Sequence, residues 1–346
     1  MESRPDSEAL DALLRGLEPP VCIVSTRVGM GNVSVGEALR ERLARLTGRP
    51  AEHWIVEDLL PESAVTEDLE RYRLIVDRAP FLLHLVYRVP LFYYRKLARE
   101  RLAPTDLRAA RDKLEGAGMR SILCVSHRPA FWIAALKRRL GSGWHVSGVL
   151  TEFGTSLGWR YIFWDALDAF LSPIGREELE LPIPKGTRFV RMPLLAGSAF
   201  EALSGRKPDR GSVLIAAGSW GRLRGAELLR VIESLLGEDP ALSIHAVCGT
   251  NRPLLERLRL RFAAGGRVAL YGEVATLAPL MSECAAVITT PGFSTIVEAH
   301  AAGRPLFLLP GLPVAEEHNA QYALRNLGAR WYGPETFRRW RALEPD

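Results

Sequence analysis

Residues 285–288 form a wholly apolar run that stops at Thr289-Thr290-Pro291-Gly292, the pattern of a buried strand delivered into a tight turn. From Ser294 the spacing turns helical, with Ile296, Val297 and Ala301 on one side, and Gly303-Arg304-Pro305 ends that helix. Residues 306–309 then read as a second buried strand. Strand, turn, short helix and strand make a unit whose turn leaves the backbone N–H groups of Gly292, Phe293, Ser294 and Thr295 at a helix N-terminus, a place that suits a phosphate. Glu298 lies about one turn further in, where a carboxylate can accept two hydrogen bonds from vicinal hydroxyls such as those of a ribose. The stretch suits a nucleotide diphosphate, although an αβ unit with Ser-Thr at its helix start is also a common structural device.

The same alternation runs through the chain. Residues 21–26 are a strand that passes Gly29 and Gly31 into a helix over 34–46, the small residues letting the backbone turn tightly. Gly36 falls one place late for the dinucleotide fingerprint. Strands follow at 53–56, 121–126 and 145–150, a shorter one is approached across 164–172, and helices are predicted at 107–116 and 131–140. Residues 190–195 close this half, and 196–211, small, polar and basic, read as a linker. A second half has strands at 212–217, 242–247 and 267–270, with helices at 225–236 and 277–284. The pattern predicts an α/β chain with two parallel sheets wound on both faces, whose ligands collect beyond the strand C-termini. Asn32, His127 and Glu152 all fall at such ends, which makes them candidates to line one site.

P-G-x-S-T-I-x-E-A-x-x-x-G-x-P followed by E-E-H-N-A resembles the donor-binding segment of the GT-B glycosyltransferases, most of all family 28. That family holds monogalactosyldiacylglycerol synthase, the diacylglycerol glucosyltransferases and the peptidoglycan N-acetylglucosaminyltransferase. Four further elements extend the resemblance: G-M-G-N-x-S-x-G-E-A-L, V-E-D-L-L-P, S-H-R-P and L-T-E-F-G-T-S-L-G-W. It implies two Rossmann-like domains facing across a cleft. The acceptor domain would be 1–195 and the nucleotide-sugar domain 212–330, with a tail, 331–346, returning to the first. Two positions depart from the family: Asn32 stands where His is usual, and Glu152 where Asp is usual.

The resemblance also assigns roles. Glu298 would take the ribose hydroxyls, Gly292, Ser294 and Thr295 the diphosphate, Val274 the base edge through its backbone, and Ser219 the diphosphate from the opposite side. Glu316 and Asn319 would meet the donor sugar, whose identity is left open because Ala315 replaces the usual Gln. Gly29 and Gly31 belong to the acceptor side, as does His318, a further titratable group near the donor. The expected reaction is an inverting transfer from a UDP-sugar to a hydroxyl of a lipid or other hydrophobic acceptor, with Glu152 the first choice of base and His127 the second. Asn32 can orient a hydroxyl but cannot take its proton. No cofactor or metal is expected, because the chain has no D-x-D triplet and no His/Cys/Asp cluster at ligand spacing. The helix dipole and backbone donors would carry the leaving-group charge. A soluble natural-product aglycone in place of the lipid, or a silent nucleotide-sugar binder, are the alternatives.

Composition bounds these readings. With 346 residues, 47% hydrophobic and 25% charged, the chain is long enough for two domains with substantial cores. No apolar run approaches the ~20 residues of a membrane span, and the acidic start lacks a signal-peptide pattern. The expected location is the cytoplasm, at the inner face of the membrane if the acceptor is a lipid. Cys22, Cys124, Cys248 and Cys284 sit in or beside strands, far apart in sequence, and read as small buried thiols. A net charge of +5 suits an anionic partner. The aromatic, arginine-rich stretch 81–101 reads either as a core-facing segment or as a surface resting among membrane headgroups. Nucleic acid has only the charge in its favour.

Overall fold

The computed structural model describes residues 4–27, 30–59, 104–154, 157–206, 209–218, 225–239, 241–262, 266–312 and 316–343. The stretch 81–101, Gly29 and Ser219 lie outside the described residues. The chain divides into two compact units, Met1–Gly197 and Ser198–Leu312 with Glu316–Asp346.

The first unit carries a six-stranded, all-parallel sheet of β1 (Val21–Ser25), β2 (Glu52–Ile55), β3 (Ser121–Val125), β4 (His145–Val149), β5 (Ala169–Ser172) and β6 (Arg188–Arg191), in the order β2-β1-β3-β4-β5-β6. β1, β3 and β5 are buried at every residue, which is why they read as continuous apolar runs rather than alternating ones. The helix Met30–Thr47 packs on β1, β2 and β3, and the helix His127–Leu140 packs on β3 and β4. Both helices start earlier than their sequences predict. Gly31 and Asn32 are already helical, and Pro129 is the third residue of its helix. The first turn has no N–H in the i→i−4 ladder, so neither glycine nor proline breaks it there.

The second unit repeats the plan with β7 (Asp209–Ala216), β8 (Ser243–Val247), β9 (Val268–Tyr271), β10 (Cys284–Thr289), β11 (Leu306–Leu308) and β12 (Arg330–Trp331). All are parallel, in the order β12-β11-β10-β7-β8-β9.

Two expectations are corrected. Residues 198–206 are not a free linker: Phe200 and Leu203 are buried, and the helix Ser198–Glu201 packs on the helices Ala278–Glu283 and Phe293–Ala301. Buried Arg304 donates from Nε to Met281 O at 2.7 Å and from Nη1 to Arg206 O at 2.9 Å, fastening this segment to its own sheet. The tail, expected on the first unit, groups with the second. The helix Pro334–Leu343 packs on Gly225–Glu238 in the second unit. Phe337 and Trp340 pack their rings on Phe307 of β11, at centroid distances of 5.2 and 5.4 Å. Arg338 forks onto the carboxylate of Glu238 at 2.6 and 2.8 Å. Burial of two large aromatics decides where this helix goes.

Candidate functional site

In an open parallel sheet, neighbouring strands whose crossovers run in opposite directions leave a crevice between their C-terminal loops. In the second unit that point falls between β7 and β10. Thr289 Oγ1 donates to Ala216 O at 2.9 Å and locks the two strand ends together. Gly218 follows β7 at φ +80°, a conformation that favours glycine, and a Cβ there would stand 3.9 Å from Thr290 Oγ1. The two loops are therefore close neighbours.

Out of this crevice runs the helix Phe293–Ala301. Its N-cap is Gly292, which has no side chain to satisfy the first-turn N–H groups. Ser294 and Thr295 are half-buried, while Phe293 and Glu298 are buried at 7% exposure each. Asn319, on the helix Glu317–Asn326 and only 3% exposed, donates from Nδ2 to Pro291 O at 3.1 Å and so braces the turn from below. Glu316 accepts the Leu312 N–H at 2.8 Å. Both residues carry loop-holding bonds that the sequence reading did not foresee. Val274 is half-buried in the loop after β9, and His318 is exposed in the first turn of its helix.

The first unit has its crevice between β1 and β3. Thr151 Oγ1, just past β4, donates to Asn32 Oδ1 at 2.8 Å, a bond between residues 119 apart in sequence. Because β3 lies between β1 and β4, this bond joins the two loops that flank the C-terminal end of β3, where Ser126 and His127 sit. Asn32, His127 and Glu152, the last half-buried beside Thr151, thus share one sheet edge.

The turn after β3 carries two penalties. Ser126 adopts φ 88°, the positive-φ non-glycine residue among the described residues, at a cost of about 1–3 kcal/mol. Its hydroxyl is buried and makes no hydrogen bond among the described residues, at a further cost of about 1–3 kcal/mol. His127 then packs its ring on Gly158, where a Cβ would stand 2.1 Å from His127 Cδ2, and lies edge-on to Trp159 at 6.4 Å. Burial, with Arg128 adding to it, lowers the His127 imidazole to about 4, so it does not titrate near neutrality as its residue type suggests. It is neutral at pH 7, and more a polar wall than a base.

This makes a pH prediction. A histidine whose folded value lies below its unfolded one contributes stability that is fully present above pH ~6.5 and is lost as pH falls toward 4. The loss is at most about 3 kcal/mol. Urea unfolding at pH 7 and pH 4.5 is expected to show a smaller fall in His127→Gln than in the unchanged protein.

A Ser–His–acid chain also occurs in this unit. His53 Nε2 lies 2.8 Å from Ser25 Oγ, and His53 Nδ1 lies 2.5 Å from Glu37 Oε1. Burial alone would raise the Glu37 carboxyl, but the hydrogen bonds from His53 and Arg40 outweigh it and hold the group below its ordinary value. The Ser25 hydroxyl and both His53 ring nitrogens are engaged with one another and with Glu37, so the trio works as a brace between β1, β2 and the helix Met30–Thr47. The four cysteines are buried thiols outside any disulfide, and burial pushes Cys22 up to about 12 and Cys248 to about 11, far from nucleophilic thiolates. Among the described residues no three His, Cys, Asp or Glu side chains converge as metal ligands.

Two six-stranded, doubly wound parallel sheets, with a bare-capped helix at the switch point of the second, define the GT-B glycosyltransferase class of fold. The solved structures agree. The chain matches MurG of Acinetobacter baumannii at a TM-score of 0.54, with 14% identity, over 92% of this chain and 89% of that one. It matches Os79 of O. sativa, solved with U2F and trichothecene, at 0.56 and 14% identity over the same shares. In sequence, the processive diacylglycerol beta-glucosyltransferase of Bacillus mycoides (strain KBAB4) is 26% identical over 320 residues, 88% of this chain and 79% of the relative. No family model matches the chain. The resemblance read from the P-G-x-S-T-I-x-E segment is thus borne out by relatives along nearly the whole chain.

Proposed function

We propose that the chain is an inverting, metal-independent glycosyltransferase that moves a sugar from a UDP-sugar to a hydroxyl of a diacylglycerol-type lipid. The observation that carries this reading is the crevice between β7 and β10, with the uncapped helix Phe293–Ala301 at its mouth and the buried carboxylate of Glu298 behind it. A diphosphate at that N-terminus would receive the N–H groups of Ser294 and Thr295 and the positive end of the helix dipole. That arrangement can stabilise the departing diphosphate with backbone donors in place of a divalent cation. Glu298 accepts the two ribose hydroxyls, and the Asn319–Pro291 bond keeps the turn in position for them. Val274 would complete the nucleotide site from the loop after β9. Support for the nucleotide comes from Os79, which has also been solved in complex with UDP. Support for the acceptor comes from the named activity of the Bacillus relative.

In the first unit Glu152 accepts the proton of the acceptor hydroxyl while Asn32, held by Thr151, orients it. A lipid acceptor sets the work at a bilayer surface. Among the described residues no helix is long and apolar enough to cross a membrane. Contact would be peripheral, at the inner face, aided by the net charge of +5 and by the basic, aromatic stretch 81–101.

A thermal-shift screen of nucleotide sugars tests the donor half. UDP and its sugars are expected to raise the melting temperature, and Glu298→Gln to weaken UDP about 10- to 100-fold. A chain indifferent to every uridine nucleotide is not this enzyme. Transfer to diacylglycerol in vesicles tests the acceptor half, and transfer only to soluble aglycones would replace the lipid.

A further inference from the structure

The turn at Ser126 has no part in the scheme above, yet it holds the positive-φ non-glycine residue found among the described residues. We propose that the Ser126 hydroxyl, together with the N-terminus of the helix His127–Leu140, forms the subsite that holds the acceptor's oxygen as it gains negative charge. This deepens the transferase reading and rests on it.

Four observations place the subsite. Ser126 is the N-cap of a 14-residue helix, so its side chain stands at the positive end of that dipole. Its hydroxyl makes no capping bond to the helix and has no hydrogen-bond partner among the described residues, although the residue is only 6% exposed. A relaxed serine N-cap would bond the helix it caps; this one is held at φ 88° instead. The position is also central. The sheet register sets Val125 beside Val149, and the Ser126 N–H donates to Val149 O at 3.0 Å. Two residues past Val149 stands Thr151, bonded to Asn32, with Glu152 next in the chain. An unused donor therefore stands at the same C-terminal sheet edge as Glu152, the residue proposed as base, and neutral His127 adds no competing charge.

The chemistry balances. Glu152 takes the proton of the acceptor O–H, and that oxygen forms a bond to the anomeric carbon. The bond from that carbon to the diphosphate breaks, and its electron pair leaves with UDP. While the proton is in transfer the acceptor oxygen carries negative charge, and a preorganised hydroxyl in a dry site, backed by a helix N-terminus, stabilises it there. The contact strengthens only in the transition state, so it governs kcat and leaves acceptor KM alone.

Two variants separate the hydroxyl from the backbone. Ser126→Gly removes the hydroxyl and suits the positive φ, so it is expected to melt no lower than the unchanged protein. Ser126→Ala removes the hydroxyl and keeps the strain. In both, transfer from UDP-sugar to diacylglycerol is expected to lose about a hundredfold in kcat, with acceptor KM and the UDP thermal shift unchanged. Full turnover in the glycine variant would overturn the proposal, as would a rise in acceptor KM with kcat intact, or loss of the fold in both variants. If the unchanged chain binds UDP but transfers to no alcohol, the transferase reading falls and this subsite falls with it. That outcome is recognised before any variant is made.

Discussion

Glu152→Gln is expected to lower glycosyl transfer by about 10²–10⁴-fold, or about 3–5 kcal/mol in the barrier, while the UDP thermal shift stays as it is. The amide keeps the size of the carboxylate and its place after Thr151, so the Thr151–Asn32 bond that organises this sheet edge has no reason to change. What is removed is the carboxylate proposed to take the proton of the acceptor hydroxyl. Asn32 has no basic atom, and burial sets His127 at about 4, where it is a poor acceptor of a hydroxyl proton. The pH profile supplies a second measurement. The ascending limb of kcat against pH is expected to vanish in the variant, whereas a base elsewhere would leave it in place. Unchanged turnover with an unchanged limb would remove Glu152 from the reaction.

Gly158→Ala is expected to destabilise the protein by about 2–3 kcal/mol and to cost most of its activity. The new methyl would stand 2.1 Å from Cδ2 and 2.3 Å from Cγ of His127. Cγ is the root of the ring, so no swing of a flexible tip relieves the clash. Trp159, T-shaped to His127 and packed edge-on to Phe170 at 4.9 Å, blocks retreat on the other side. Either the turn at Ser126 moves or the short helix Leu157–Tyr161 lifts away, and each disturbs the edge that holds Asn32 and Glu152. A double-mutant cycle checks the cause. In a His127→Ala background the same Gly158→Ala change is expected to cost under 1 kcal/mol, because the two residues are coupled through one contact.

The parts of this architecture that were open to a reader of the sequence are those governed by burial alone. Residues 21–24 and 285–288 are unbroken apolar runs because parallel strands covered on both faces have no polar side, so both sheets and the helix after Gly292 could be placed. What lay hidden depends on partners distant in sequence. Thr151 is an ordinary threonine until the fold sets it against Asn32, and nothing local marks His53 as the link between Ser25 and Glu37. The early helix starts at Met30 and His127 were masked by Gly31 and Pro129, whose meaning as breakers lapses in a first turn. The helix Arg252–Phe262 hides its apolar face, Leu254, Leu255 and Leu258, among four arginines. The tail misled for a similar reason: Phe337 and Trp340 advertise an apolar face, but only packing reveals that Phe307 is what it covers.

That docking of the last helix bears on how the protein can be taken apart. A cut ahead of Pro334 would strip the cover from β11, and a cut near Asp209 would discard the segment that Arg304 anchors. A fragment of the second unit that keeps its own interior starts at Ser198 and retains the last helix.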